Sequence, residues 1–193
     1  MPLWWDLRKA TCSKAWRDFL NFVYFFIFVS ISGLSLQHMQ FHHLVEINDP
    51  LNPLVDPLTR TQLWRGLVIR AEEPKEFMPH LDQCDLYERT SDSISRTLHY
   101  GKISIRDKVV FFPESKVEYH VPEQDEITAS RLTMTIEEPQ EGHLLVRFDY
   151  EDSAPQPEGM DAFYNEFRQS AYKEADLDTI SLIRQMAESG RLG

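Results

Sequence analysis

The stretch from Pro157 to Ser189 follows a run of alternating segments and has no strand pattern of its own. Met160, Phe163, Tyr164, Phe167 and Ala171 recur at helical spacing, and Ile180, Ile183 and Met186 take up the stripe beyond the polar patch at Ala175–Asp178. Glu158, Asp161 and Glu166 stand early and Arg184 late, as the helix dipole favours, and Gly190 is a stop signal. A helix of about thirty residues is about 45 Å long. A face carrying Phe163 and Phe167 needs a broad apolar partner, which a curved sheet wrapped around the helix would supply. On this reading Phe167 is buried against the sheet. The alternative is two helices broken near Asp176, the second capped by Asp178, on an ordinary core.

The preceding segments supply such a sheet. Phe41 to Asn48 alternates, with Phe41, His43, Val45 and Ile47 on one face. A proline-rich loop follows, and Thr59 with Gln62 makes a capping box for a helix whose apolar face is Leu63, Trp64, Leu67 and Ala71. Pro74 suits the first turn of a second short helix through Phe77 and Met78. After Leu81 the period becomes two, predicting strands at Cys84–Arg89, Ser93–Tyr100, Ile103–Phe112, Lys116–Val121, Ile127–Glu137 and Leu144–Glu151, with short polar joins. In the last of these Leu144, Val146, Phe148 and Tyr150 share a face. The fold class is α+β. A seven-stranded antiparallel sheet curves around the long C-terminal helix, with two short helices between the first and second strands.

Residues 1–38 differ in character. Phe19 to Leu36 has no charged residue and follows Arg8, Lys9, Lys14 and Arg17, at the short end of what spans a bilayer. Three readings stand: a signal anchor, a cleaved signal peptide, or a segment upstream of a working start at Met39. The working domain is therefore 39–193. It is cytoplasmic if translation starts at Met39 and membrane-anchored if the apolar stretch is kept. The net charge of −11 argues against a nucleic-acid partner, which needs clustered Lys and Arg. Cys12 and Cys84 form no disulfide framework and no metal-ligand spacing, and Cys84 reads as a small buried residue.

The strand–helix order resembles the helix-grip fold of the START-like or SRPBCC superfamily, which includes the birch-pollen allergen and aromatic polyketide cyclases. Within it the chain is similar to the AtaL-like family through FHHLVEIND, LTRTQLWRGLVIRAEEPKEFMP, SRTLHYG and AYKEADLDTISLIRQM, over roughly Met39 to Leu192. The resemblance implies a cavity for a small hydrophobic molecule and, by analogy with fungal members, an accessory role in secondary metabolism. It carries over no catalytic residue, no cofactor and no metal.

The inward phase of each strand names the cavity candidates: His43, Arg96, Tyr119, Phe148 and Tyr150, with Phe163 and Phe167 from the helix. Arg96, in phase with Ile94, Leu98 and Tyr100, is either an anchor for a carboxylate or phenolate or an internal ion pair with Glu88. A third course is for its head group to reach solvent. His43 is either an acid or base near neutral pH or a satisfied core histidine. The tyrosines either offer hydroxyls to a ligand or pack as core aromatics. Trp64 and Arg65 either gate the mouth or, for Trp64, pack. No phosphate loop, nucleophile elbow or HExxH occurs. Two functions remain: a non-catalytic binder of a hydrophobic molecule, or a cyclase- or dehydratase-like tailoring enzyme needing an acid–base pair such as His43 with Tyr150 or Arg96. A scaffold role is third.

Overall fold

The computed structural model describes residues 39–52, 54, 56–125, 127–153 and 161–193, of which 39 and 161–165 are described by backbone alone. The apolar stretch 19–36 and the helix start near Pro157 lie outside them. Among the described residues no helix is long and apolar enough to cross a membrane.

The elements run β1 (Met39–Asn48), α1 (Arg60–Glu72), α2 (Pro74–Phe77), β2 (Gln83–Arg89), β3 (Ser93–Tyr100), β4 (Ile103–Phe112), β5 (Lys116–Val121), β6 (Ser130–Gln140), β7 (His143–Asp152) and α3 (Asp161–Glu188). One antiparallel sheet holds all seven strands in the order β1-β7-β6-β5-β4-β3-β2. The strands from β2 to β7 form a meander, and β1 returns to pair with β7. This is the helix-grip arrangement.

Local chemistry accounts for the joins. The Thr59 side chain accepts from the Gln62 amide while the Gln62 side chain accepts from the Thr59 amide, and Pro74 opens α2. Asn48 clamps the loop after β1 by donating to the Leu58 carbonyl at 2.7 Å and accepting from its amide at 2.9 Å. β6 begins at Ser130 rather than Ile127. Ile127 instead makes an isolated bridge to Gln124, whose buried side chain is pinned to the Arg106 backbone. That tight turn keeps Ile127 out of the ladder.

The inward side chains align across the sheet. Phe41, Tyr150, Leu132, Tyr119, Val109 and Ile94 form one continuous row over β1, β7, β6, β5, β4 and β3. The next row along the strands brings His43 opposite Phe148 and Met134.

α3 is continuous through Asp176, so the two-helix alternative does not hold. Its packed face differs from the expected one. Ile180, Ile183 and Met186 are buried, and stepping back by four residues the same face continues through Asp176, partly buried Tyr172 and buried Arg168. Phe167 is 44% exposed, which corrects the expectation that it is buried. At about 100° per residue Phe167 stands about 160° around the helix from Ile183. The two apolar stretches are out of phase and do not make one stripe. The Phe163 side chain lies outside the described ones.

The dry core therefore sits at the C-terminal half of α3, against α1 and the sheet. There Gly66 meets Ile183. A Cβ at Gly66 would lie 2.5 Å from Ile183 Cγ2 and 2.8 Å from its Cγ1. In an open helix Gly→Ala gains about 1 kcal/mol. Here overpacking reverses the sign, and Gly66→Ala should cost about 1–3 kcal/mol in a urea melt. A stabilised variant would mean that α1 and α3 are not in contact at this point. Arg184 fastens the same half of α3 to β1 through the Ile47 carbonyl and to the loop after β1 through the Asp56 carbonyl.

Candidate functional site

Up to its middle, α3 turns Arg168, Tyr172 and Asp176 toward the sheet, which marks the interior beside them as the candidate site. Asp176 is the centre of the cluster. Its carboxylate is 1% exposed and accepts from Tyr150 Oη at 2.9 and 2.8 Å and from His43 Nε2 at 2.7 Å. β1 and β7 present His43 and Tyr150 inward from adjacent strands, and α3 lowers Asp176 between them. With Asp176 ionised, it is Nε2 that carries the hydrogen of this bond.

Aromatic rings wall this cluster. His43 stacks on Phe148 at 5.2 Å and on Phe41 at 5.5 Å, and Tyr150 stacks on Tyr172 at 4.3 Å with the planes 1° apart. Burial pushes the Tyr150 phenol well above its ordinary range, and the Asp176 charge reinforces this. Both tyrosines therefore stay neutral at physiological pH.

Burial also pushes the Asp176 carboxyl up from 3.8, against the pull of His43, Arg70 and Tyr150. An acid whose folded pKa is raised binds more protons in the native than in the unfolded chain between the two values, so its contribution to stability grows as pH falls through that window. Asp176→Asn removes this contribution. The stability difference between wild type and Asp176→Asn should shift in favour of wild type as pH drops from neutral toward 3.8, read from urea melts at stepped pH. A flat difference would place the charge in solvent.

Arg96 is internal. It is 1% exposed and grips Asp107 on the neighbouring strand by two parallel bonds, Nε to Oδ1 at 2.8 Å and Nη2 to Oδ2 at 2.6 Å. Its Nη1 donates to the Ala71 carbonyl at 2.6 Å, one of the last-turn acceptors of α1 that lack a helical partner. The expected pairing with Glu88 is corrected. A bulge between Leu86 and Glu88 shifts the β2 register, so Glu88 opposes Ser95 and takes its hydroxyl at 3.2 Å. Arg96 thus ties β3, β4 and α1 together as an internal ion pair, the second of the two alternatives, with Asp107 in place of Glu88.

Tyr119 is buried, and two guanidiniums lie over its ring, Arg70 at 5.1 Å and Arg96 at 5.2 Å. Its hydroxyl has no hydrogen-bond partner among the described residues. Arg70, in the last turn of α1, is 9% exposed, and its Nε also lacks a partner among them. Burial works against the Arg70 charge, but Tyr119, against which the guanidinium lies, and the Asp176 carboxylate more than offset it.

Elsewhere, Arg168 pairs with Asp152 at 3.1 Å, and the Tyr100 hydroxyl meets Met78 Sδ with its pKa pushed up to about 12 by burial. Trp64 packs edge-on against Phe111 at 6.4 Å, while exposed Arg65 faces Glu72 at 3.6 Å. Burial raises the Cys84 thiol, which keeps it un-ionised and a poor nucleophile. Among the described residues no group of three His, Cys, Asp or Glu is placed to hold a metal ion.

Of the expected residues, the structure brings His43, Phe148 and Tyr150 together, sets Tyr119 beside Arg70, commits Arg96 to Asp107, and leaves Phe167 exposed. Asp176, Tyr172 and Arg70 were not expected. Each carried a phase signal: Asp176 and Tyr172 lie seven and eleven residues before Ile183, and Arg70 lies three after Leu67 and seven after Leu63.

In sequence, the family described as Acetylaranotin biosynthesis cluster protein L, AtaL, matches residues 45–190. No individually curated protein matches the chain. Among solved structures, the di-domain ARO/CYC StfQ from the steffimycin biosynthetic pathway superposes with a TM-score of 0.60 at 11% identity, over 80% of this chain and 52% of that one. The chain thus spans about half the length of StfQ. Ara h 8.0201 aligns with a TM-score of 0.54 at 12% identity, covering 79% of this chain and 99% of that one. The Zhui aromatase/cyclase from Streptomyces sp. R1128 aligns at 0.52 and 14% identity, covering 79% and 94%. At these identities the likeness is one of fold.

Proposed function

The chain belongs to the AtaL family, and from that premise we propose that it binds a small hydrophobic molecule between α3 and the sheet as an accessory protein of secondary metabolism. The observation that carries this reading is the His43–Asp176–Tyr150 cluster, buried among stacked aromatic rings. Burying such groups costs stability, and a fold that needed only a core would fill the space with aliphatic side chains. Apolar walls with a few fixed polar groups are the usual make-up of a small-molecule site. The family description names a biosynthesis cluster, and two of the similar folds are named as ARO/CYC or aromatase/cyclase proteins. The binding unit is residues 39–193, with His43, Phe148 and Tyr150 on its wall.

The test is a titration with phenylnaphthylamine, a neutral dye that fluoresces in apolar surroundings. Saturable enhancement at one site per chain is expected. Weak enhancement without saturation would overturn the reading.

The second reading is a polyketide cyclase- or dehydratase-like enzyme. It rests on one contact: Asp176 fixes His43 through Nε2, the way a general base is oriented, leaving Nδ1 to take a proton. A polyketide-like molecule recovered unchanged after incubation supports the binder. Conversion that is lost in His43→Gln would replace it with the enzyme.

A further inference from the structure

The polar groups around Asp176 satisfy one another, whereas those around Tyr119 do not. The inward carboxylates among the described residues already have partners: Asp107 holds Arg96, Asp152 holds Arg168, and Asp176 holds His43 and Tyr150. Arg70 forms no ion pair with any of them. Its guanidinium sits on the Tyr119 ring, more than nine-tenths buried, with Nε unbonded, and the Tyr119 hydroxyl beside it is buried and unbonded too. An unpaired buried cation and an unpaired buried hydroxyl are each costly. Of the two guanidiniums over the Tyr119 ring, Arg96 takes both oxygens of Asp107, and Arg70 has no ion pair among the described residues. The charge that balances Arg70 is that of Asp176, whose carboxylate bonds His43 and Tyr150 and not Arg70.

We propose that Arg70 and the Tyr119 hydroxyl form the oxyanion subsite of the interior, which takes the ionised acid group of an otherwise aromatic or apolar ligand. A carboxylate, phenolate or enolate meets both needs at once: its lone pairs accept from the guanidinium and from the hydroxyl. Arg96 lends rigidity and field to the subsite but no free fork, since its Nε and both Nη atoms are already engaged. The net charge of −11 repels acids from the surface in general, so selection for an acid must be local. The row Phe41–Tyr150–Leu132–Tyr119 gives the rest of such a ligand an apolar bed leading from the Asp176 cluster to Arg70. This inference rests on the binding reading above and specifies its ligand class.

The test is displacement of phenylnaphthylamine from the full chain by naphthoic acid and by its methyl ester, which differ in charge and little in shape. Wild type should prefer the ionised acid over the ester by about 10- to 100-fold, the value of hydrogen bonds to a charged group. Arg70→Met should abolish that preference and leave the ester within about threefold of its wild-type affinity, below the tenfold that one such bond is worth. Tyr119→Phe, which removes one hydroxyl from a packed ring, should weaken the acid alone, and it carries the test if Arg70→Met does not fold. Acid and ester binding equally to wild type, or falling together in both variants, would overturn the subsite while leaving the binder intact. A dye that never binds would overturn the binder itself, and the subsite with it.

Discussion

Asp107→Ala should cost about 3–5 kcal/mol of folding stability, because it leaves the Arg96 guanidinium buried without its counter-charge. No other group among the described residues takes up the two bonds that Asp107 accepts from Arg96. Arg96→Met should cost a similar amount, since it strands Asp107 and takes the Nη1 donor from the Ala71 carbonyl. Replacing both partners together, Arg96→Met with Asp107→Leu, should recover most of the loss, because the desolvation of the pair disappears with its attraction. Denaturant melts of the four proteins close the cycle. The account of Arg96 as a ligand anchor predicts the opposite: Arg96→Met folded and stable, with affinity lost. A single-variant cost below about 1 kcal/mol, as for solvent-exposed pairs, would show that the bidentate pair is not sealed from water.

Phe148→Ala and Phe167→Ala should separate widely. Phe148 is fully buried on β7 against the His43 ring, and truncating such a residue costs about 3–5 kcal/mol. Phe167 is exposed on α3, and its loss should stay within about 0.5 kcal/mol, as surface changes do. Equal effects at the two sites would mean that α3 is rotated relative to the sheet, which would also withdraw Asp176 from His43 and Tyr150. The pair of variants therefore tests the helix phase on which the site depends.

The strands, the two short helices and the long one were legible in the sequence because their signals are local. Alternation marked each strand to within a few residues, Thr59 and Gln62 announced α1, and Pro74 announced α2. The inward faces of β1, β3 and β7 followed from phase alone, and with them His43, Arg96, Phe148 and Tyr150. What failed was phase across an interruption. The bulge after Leu86 turned Glu88 away from Arg96, and nothing in the tripeptide around Tyr87 signals a bulge. On α3, hydrophobicity and helix geometry point to different faces. Phe163 and Phe167 look like core residues, but counting from Ile183 brings Asp176, Tyr172 and Arg168 to the inner face instead. Asp176, within the polar patch that suggested a helix break, lies on the inner face of a continuous helix. A single arginine in an otherwise apolar helix face, such as Arg70, reads as a surface residue until its i+3 and i+7 relations are counted.

Function has a different kind of signal. The resemblance in FHHLVEIND and its companion segments pointed to the family, which the match over residues 45–190 bears out. The proposed ligand chemistry rests instead on which buried groups lack partners, a property of the folded chain and of no segment alone.

The central claim is that the interior between α3 and the sheet holds an acidic, largely apolar small molecule. Native mass spectrometry of the full chain isolated from the cells that make it tests this most directly. The account predicts one extra small-molecule mass per chain, released on denaturation, ionising as an acid, and absent from Arg70→Met isolated in the same way. A wild-type chain that carries no added mass, and gains none when exposed to naphthoic acid, would contradict it.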